Sequence, residues 1–284
     1  MFRRKWSLLL FLLPGLGLLL LYNIVPFFTG IQYSLTDGTN ANQYVGFKNY
    51  EALWQNRMFL LGLKNTMVLS VISAPLLWVL AFIFALILQF IQPKGALFRS
   101  VSLMPYLAPS SAMLLIWLVI FDFGGPINRV LQALGAERIL WLESEALRLP
   151  IILMFVWKNL GFCMVIFLAA LQTVPTSLYE YATLEGAGFM TKAFKVALPH
   201  ILPTAFLVLV LAWINAFRIF KEVYVIAGSY PDTSVYTLQH YMNNMFSRLD
   251  YQMVTAAAYS FALIVMIIFA ALFLMQRRAS QAVR

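Results

Sequence analysis

The chain has 284 residues, of which 62% are hydrophobic and only 11% are charged. A soluble domain of this length carries about 25% charged residues, so the composition excludes an ordinary soluble protein. The net charge of +9 gives no indication of nucleic-acid binding, because the basic residues are distributed around apolar segments as membrane topology requires.

The apolar residues fall into six long uncharged blocks, and each block can hold the roughly 20 residues of a membrane-spanning helix. A β-barrel would instead show alternating segments of about ten residues. The pattern therefore predicts an all-α integral membrane protein with six transmembrane helices. The predicted spans are 8–32, 62–90, 100–122, 150–173, 201–222 and 254–276.

The first apolar block, 6–36, follows three basic residues as a signal peptide would. It is far longer than an h-region of about 7–15 residues, and no small-residue cleavage site follows it, so we expect a retained first span. With the N-terminus inside, ten basic residues lie in cytoplasmic segments and six lie in outer loops. This bias predicts that both termini are cytoplasmic.

The third span contains Pro105 and Pro109, four residues apart. We expect both prolines to break the helical hydrogen-bond ladder, an irregularity that membrane proteins tolerate where it lines a cavity. Tyr106 and Ser110 flank the expected kink and are therefore candidate ligand contacts.

The fourth span places an aromatic residue, a cation and an amide within two turns: Trp157, Lys158, Asn159 and Phe162. Aromatic faces and amide donors suit a planar, hydroxyl-rich ligand. In the alternative interpretation, Trp157 and Lys158 anchor the span at the outer interface and the lysine snorkels.

In the fifth span Asn215, Arg218 and Glu222 share one helix face at i, i+3 and i+7. Ionisable residues near the centre of a span cost roughly 2.5–3.5 kcal/mol and usually face a cavity or a partner. Two other interpretations stay open: Arg218 and Glu222 pair with each other, or Asn215 bonds a neighbouring helix.

The second cytoplasmic loop, 174–200, is too long for a simple connector. Ser177 and Glu180 form an S-x-x-E pattern, which predicts a capping box and a helix that starts just after Pro175. Glycines 186 and 188 interrupt this helix. A second short helix then presents one apolar face, made of Met190, Phe194, Ala197 and Ile201. Two short helices with a glycine break are typical of a docking element.

The loop 223–250 is rich in tyrosine and asparagine, which suits a cap or a partner contact. Cys163, the single cysteine, is expected to be a small core residue. His200 and His240 have no carboxylate or cysteine at metal-ligand spacing. The sequence contains no P-loop, nucleophile elbow or glycine-rich dinucleotide turn.

The segment 174–203 reads VPTSLYEYATLEGAGFMTKAFKVALPHILP. It resembles the EAA loop of ABC-importer permeases, whose pattern is roughly E-A-A-x-x-D-G-A, then an aromatic residue, L-P and a further P. The matching residues are Glu180, Ala182, Glu185, Gly186, Ala187, Phe194, Leu198, Pro199 and Pro203. Tyr181 replaces the second small residue of the pattern, and Glu185 replaces its Asp. LMPYLAPS at 103–110, GGPIN at 124–128 and AGSYP at 227–231 are similar to the maltose-type carbohydrate-uptake subfamily.

The resemblance implies a type I ABC-importer permease fold, with one transmembrane permease domain over 1–284 and the coupling loop 174–203 within it. In that family the first helix of the loop inserts into a cleft of the cytoplasmic ATPase. The implied ATPase-coupling residues are Glu180, Ala182, Glu185, Gly186 and Ala187. Tyr106 and Ser110 match positions similar to sugar-lining ones.

The resemblance also implies the partners: a second, different permease, two copies of a cytoplasmic ABC ATPase and an extracellular or periplasmic binding protein. Because the sequence has no P-loop, ATP and Mg²⁺ would be bound by the ATPase, and this chain would need no cofactor and no catalytic residue. The implied location is the bacterial inner membrane. The implied substrate is a sugar or oligosaccharide, and Lys158 with Arg218 would favour an anionic one unless Glu222 neutralises a cation.

The sequence also bears on three other functions. A secondary transporter or channel would need no docking helix. An intramembrane enzyme would need a paired acid and base, a metal cluster or a nucleophile within the spans. An ABC permease for polyamines, phosphate or amino acids is disfavoured only by the subfamily resemblance.

Overall fold

The computed structural model describes residues 12–39, 41, 43–90, 95–143 and 145–282, with the backbone alone for residues 90, 95–97, 110–112 and 279–282. Within these ranges the regular elements are helices, apart from one isolated bridge between Thr36 and Tyr44. Six segments are long and apolar enough to cross a membrane, which confirms the predicted six-span all-α architecture. They are Leu12–Ser34, Arg57–Gln89, Met113–Ala133, Glu145–Leu171, Leu202–Ala227 and Tyr251–Arg278.

In chain order the helices are α1 (Leu12–Ser34), α2 (Lys48–Gln55), α3 (Arg57–Phe90), α4 (Gly95–Leu107), α5 (Ser110–Phe121), α6 (Pro126–Ala133), α7 (Arg148–Leu171), α8 (Thr176–Leu184), α9 (189–200), α10 (Leu202–Ala216), α11 (Phe220–Ala227), α12 (Leu238–Ser247) and α13 (Tyr251–Ala282). Two of them contain a π-helical turn, Leu20–Ile24 in α1 and Lys192–Ala197 in α9.

The predicted third span, 100–122, covers two helices, α4 and α5, separated by Ala108 and Pro109. The third candidate span of the structure lies later in the chain, at Met113–Ala133. Pro109 has the extended ψ of 124° and precedes the first turn of α5. A proline lacks the N–H donor and restricts the residue before it, so the helix ends there. The predicted break is confirmed at Pro109. At Pro105 the helix continues, although this residue lacks the N–H that would donate to the carbonyl four residues earlier.

The chain divides into two compact units, of which one lies within Met1–Leu60 and Tyr241–Met266. In this unit the Tyr259 ring packs edge-on against Phe27, with ring centroids 5.5 Å apart, and its hydroxyl donates to the Phe27 carbonyl. The Asn49 amide donates to the Ser34 and Thr36 carbonyls at 2.9 and 2.8 Å. These bonds fix the end of α1 to α2.

The other unit lies within Leu61–His240 and Ile267–Arg284 and contains a continuous apolar core. At its centre the rings of Trp78, Phe82 and Phe167 contact one another. The Trp78 indole donates to the Ala205 carbonyl at 2.7 Å, so α3, α7 and α10 are joined in one cluster. Cys163 is fully buried in this core, as predicted.

Helices α4 and α7 approach each other closely at Gly161. A Cβ atom there would lie 1.8 Å from the Ser102 carbonyl oxygen. Small residues at helix contacts allow this approach in membrane proteins. The contact sets the register that brings Tyr106, one turn after Ser102, against α7.

Part of the loop 223–250 is tied to the membrane helices of the same unit. Asn65 donates to the Thr233 and Tyr236 carbonyls at 2.7 and 2.9 Å, and Arg148 Nε donates to the Ser234 carbonyl at 2.8 Å. Tyr236 is buried while Tyr230 is exposed. The role as a cap or partner contact stays a prediction for the exposed part of this loop, because other side chains serve packing within the chain.

Candidate functional site

Lys158, a predicted ligand residue, forms an ion pair with Glu222 between α7 and α11. Lys158 Nζ lies 2.9 Å from Glu222 Oε1, with 24% and 9% of the two side chains exposed. Glu222 therefore bonds Lys158, and the predicted alternative of a pair with Arg218 is wrong. The break between α10 and α11 is the physical reason, because Phe217–Ile219 form a turn that alters the helical spacing of Arg218 and Glu222.

A small, half-open cavity of about 20 Å³, enough for about one water molecule, adjoins this pair. Its lining is mostly apolar and aromatic and consists of Pro105, Met113, Leu114, Trp117, Met154, Trp157, Lys158 and Glu222. Trp117 packs edge-on against Trp157 at 5.7 Å between ring centroids. Small-molecule sites typically combine such a lining with a few polar groups. Trp117 and Met154 escaped the sequence analysis because nothing distinguishes an apolar residue within an apolar span.

Tyr106 and Phe162, two more predicted ligand residues, stack face to face. Their ring centroids are 4.6 Å apart and the planes are inclined by 8°. Tyr106 remains 37% exposed, so its free face can contact a ligand. Ser110 begins α5, and its side chain lies outside the described part of the chain.

Asn159 and Asn215, two further predicted ligand residues, do not line the cavity beside Lys158. The Asn159 side chain is buried and its amide donates to the Phe155 carbonyl of the same helix at 2.8 Å. This bond occupies part of the amide that was expected to contact ligand. Asn215 is half-buried in the last turn of α10, and Arg218 is exposed in the turn that follows. Neither lines the cavity beside Lys158.

The predicted docking helix is α8, which begins at Thr176 as the sequence suggested. Its N-cap residue is Pro175, and no side chain caps the helix by a hydrogen bond. The predicted capping box of Ser177 and Glu180 is therefore wrong, because the helix begins one residue before Ser177 and places it at the second helical position. Glu180 is exposed on the middle of the helix.

Helix α8 ends in a Schellman motif. Gly186 has a φ of +74°, its N–H donates to the Thr183 carbonyl at 2.9 Å, and the Ala187 N–H donates to the Ala182 carbonyl at 2.8 Å. This pattern satisfies the last carbonyls of a helix and requires a left-handed residue. The predicted glycine turn is confirmed, and the remaining coupling candidate, Glu185, is the exposed C-cap residue.

The second helix of the loop, α9, buries only half of the predicted apolar face. Ala193, Ala197 and Ile201 are buried, whereas Met190 and Phe194 are 66% and 53% exposed. The π-helical turn Lys192–Ala197 is the physical reason. It adds a residue to the turn and rotates the face that follows.

The motif GGPIN at 124–128 surrounds a fully buried asparagine, Asn128. Its amide donates to the carbonyls of Asp122, Phe123 and Ile139, and its oxygen accepts from the Ile139 N–H and the Trp141 indole. One side chain thus organises the loop between α5 and α7.

Residues 92–284 match the family described as "Binding-protein-dependent transport system inner membrane component". The chain is 33% identical over 221 residues to the sulfoquinovosyl glycerol transport system permease protein of Agrobacterium fabrum, covering 76% of this chain and 71% of that protein. It is 30% identical over 297 residues to the diacetylchitobiose uptake system permease protein of Streptomyces coelicolor, covering 97% and 84% respectively.

A solved structure shares the fold over nearly the whole chain. It is the crystal structure of a bacterial alginate ABC transporter in complex with an alginate pentasaccharide-bound periplasmic protein. The TM-score is 0.85 at 24% sequence identity, and the match covers 98% of this chain and 96% of that chain.

Proposed function

Since the chain belongs to the family of binding-protein-dependent transport system inner membrane components, we propose that it is a permease subunit of an ATP-driven bacterial importer for a sugar or oligosaccharide. Transport systems for a sulfoquinovosyl glycerol and for diacetylchitobiose give the two relatives above their names. Both are sugar derivatives, which supports a carbohydrate substrate.

The observation that carries the coupling role is the exposure of α8. None of its residues is buried, and Tyr181 and Leu184 are 67% and 84% exposed. Exposed apolar side chains surrounded by polar ones are typical of an interaction site. The Schellman motif at Gly186 fixes the end of this helix, so α8 is presented to a partner in a defined conformation.

The proposed complex contains this chain, a second and different permease, two copies of a cytoplasmic ATPase and an extracellular binding protein. ATP and Mg²⁺ would be bound by the ATPase, and this chain would catalyse no covalent step. Closure of the ATPase would draw the docking helices together and open the path outward, and hydrolysis would reset it. The chain would lie in the bacterial plasma membrane with both termini cytoplasmic.

Ligand-stimulated ATP hydrolysis by the purified complex tests this function. The binding protein would be offered a panel of sugars, polyamines, phosphate and amino acids. We expect hydrolysis and uptake to be stimulated by one or a few sugars. Stimulation by polyamines, phosphate or amino acids alone would contradict the carbohydrate substrate while leaving the importer mechanism intact.

A further inference from the structure

The ion pair of Lys158 and Glu222 lies where a charged side chain has a high desolvation cost. Lys158 is close to the middle of the candidate span Glu145–Leu171, and Glu222 is in the first turn of α11 within the candidate span Leu202–Ala227. Charges at such depth are costly and are usually paired or turned towards a cavity. Here the pair does both, because it also forms one wall of the cavity beside Trp117 and Trp157.

The charge of that wall decides what it can bind. Among the described residues that line the cavity, Lys158 and Glu222 alone are charged, and they are 2.9 Å apart with opposite signs. The wall therefore has no net charge to offer an anion. Arg218, the second cation of the anionic-sugar hypothesis, is exposed and does not belong to this lining.

A neutral ligand with neighbouring hydroxyl groups can use both members of the pair. One hydroxyl accepts from the ammonium group and another donates to the carboxylate, and the two charges remain together. An anionic group that binds Lys158 at this wall would displace Glu222 from it. The carboxylate would then be left without its cation in a weakly solvated site, which is strongly unfavourable.

We propose that Lys158 and Glu222 form a specificity-determining pair that selects uncharged, hydroxyl-rich ligands over anionic ones. Trp117 and Trp157, beside the pair, supply flat apolar faces for the carbon skeleton of a ligand at the mouth of this cavity. This inference rests on the proposed function as a sugar permease, and it assigns the charge class of the sugar.

The test uses the whole complex in proteoliposomes and compares probes that differ only in charge. Maltose, lactose and diacetylchitobiose would each be paired with the aldonic acid obtained by oxidising the reducing-end aldehyde to a carboxylate. The measured quantity is the ratio of neutral to acidic uptake. Because one binding protein is used throughout, a change in this ratio between variants arises in this chain.

Three variants separate selectivity from structure. Glu222→Gln leaves Lys158 without its carboxylate, whereas the double variant Lys158→Glu with Glu222→Lys restores a pair in reversed order. Lys221→Gln removes a charge at the neighbouring position, which does not line the cavity, and serves as the matched control.

For the native chain we expect a ratio of about ten or more, and for Glu222→Gln a fall of about fivefold or more. The reversed pair should return the ratio to the native range, and Lys221→Gln should leave it unchanged. Equal loss of neutral and acidic uptake in Glu222→Gln, with an unchanged ratio, would show that the pair is only structural and overturn the proposal. A native ratio below one would overturn it as well.

Failure of the proposed function gives a different result. In that case the native complex would import no sugar of either charge, although a non-sugar ligand of the binding protein would stimulate ATP hydrolysis. This outcome would overturn the sugar assignment and, with it, the role of the pair in sugar selection.

Discussion

The proposed coupling role depends on the backbone conformation of Gly186. Its φ of +74° is easy for glycine and costs other residues about 1 kcal/mol or more. A Cβ at Gly186 would meet no atom of the described chain within 4 Å, and the same holds for Gly188, whose φ is −71°. We therefore expect Gly186→Ala to weaken ATPase association in a pull-down assay, and Gly188→Ala to be tolerated.

Asparagine separates the two possible origins of that defect, because it tolerates the left-handed region. Recovery of binding in Gly186→Asn would show that backbone conformation causes the loss. Loss of binding in Gly186→Asn as well would show close approach of the ATPase. Native binding by both Gly186→Ala and Gly186→Leu would contradict a coupling role of this turn.

Gly161 is expected to be intolerant of any side chain. A methyl group would overlap the Ser102 carbonyl and force α4 and α7 apart, and overpacking of this kind costs about 1–3 kcal/mol. We expect Gly161→Ala to lower the Tm of the purified protein by several degrees. Gly17→Ala is the matched control, since a Cβ at Gly17, also in a span, meets nothing within 4 Å. Equal Tm values for the two variants would contradict the close contact.

His240 is expected to make stability depend on pH. The residue is fully buried, its Nδ1 accepts from the Thr237 N–H at 3.2 Å, and the Phe220 ring lies 4.6 Å away. Burial lowers the pKa of His240 to about 4, below the unfolded value near 6.5. Between these values the unfolded chain binds the proton more readily, so stability is full above about pH 6.5 and falls as pH decreases towards 4.

The His240→Gln variant keeps a polar side chain but does not titrate. Its Tm should change less between pH 6.5 and 4 than that of the native chain, by an amount equivalent to at most about 3 kcal/mol at the acidic end. Scanning fluorimetry in detergent measures this difference. Parallel Tm profiles for the two proteins would show that His240 is not protonated on unfolding in this range.

At the level of elements, changes on the exposed surface of α8 should impair coupling to the ATPase without lowering stability. Leu184 is 84% exposed, so Leu184→Ser should leave the Tm unchanged while reducing ATPase association and ligand-stimulated hydrolysis. Glu180→Gln should reduce both in the same way if the carboxylate contacts the ATPase. Ser177→Ala is the control, because its hydroxyl does not cap the helix. A strong decrease of the Tm in Ser177→Ala would indicate that the Ser177 hydroxyl does cap the helix.

The elements were predicted well where hydrophobic pattern decides them and poorly where backbone geometry does. The glycine turn at 186 was visible because glycine is the residue that a Schellman motif needs. The exposed face of α9 was not predicted, because no residue type is characteristic of a π-helical turn. Similarly, Pro105 and Pro109 look alike in sequence, and only the local geometry decides which of them ends a helix.

The same limit applies to the candidate site. A sequence pattern brought Arg218 and Glu222 to one face, but that argument assumed an unbroken helix through Phe217–Ile219. Lys158 is 64 residues from Glu222, and no spacing rule joins residues so distant. Tyr106 and Phe162 were singled out separately, and only the packing of α4 on α7 shows that they form one stack.

At the level of the whole molecule, the orientation of the chain remains a prediction that cysteine labelling can test. Cys163→Ser removes the single cysteine, and Asp37→Cys, Arg138→Cys and Lys192→Cys are then introduced one at a time. A membrane-impermeant maleimide should label positions 37 and 138 in intact cells and position 192 only in inverted vesicles. Labelling of position 192 in intact cells would contradict the six-span topology.

The backbone contact between Gly161 and Ser102 has a mechanical consequence. If α7 tilts over α4 during transport, this contact is the point about which it turns, because Gly161 places no side chain between the two backbones. Lys158 is three residues from Gly161, about 4.5 Å along the axis, and Leu171 is ten residues away in the other direction, about 15 Å. A tilt of about 10° therefore moves the Leu171 end by about 2.5 Å and Lys158 by less than about 1 Å. The two distances from the contact are unequal. A displacement of the end of α7 that precedes α8 would therefore reach the ion pair as a movement about three times smaller.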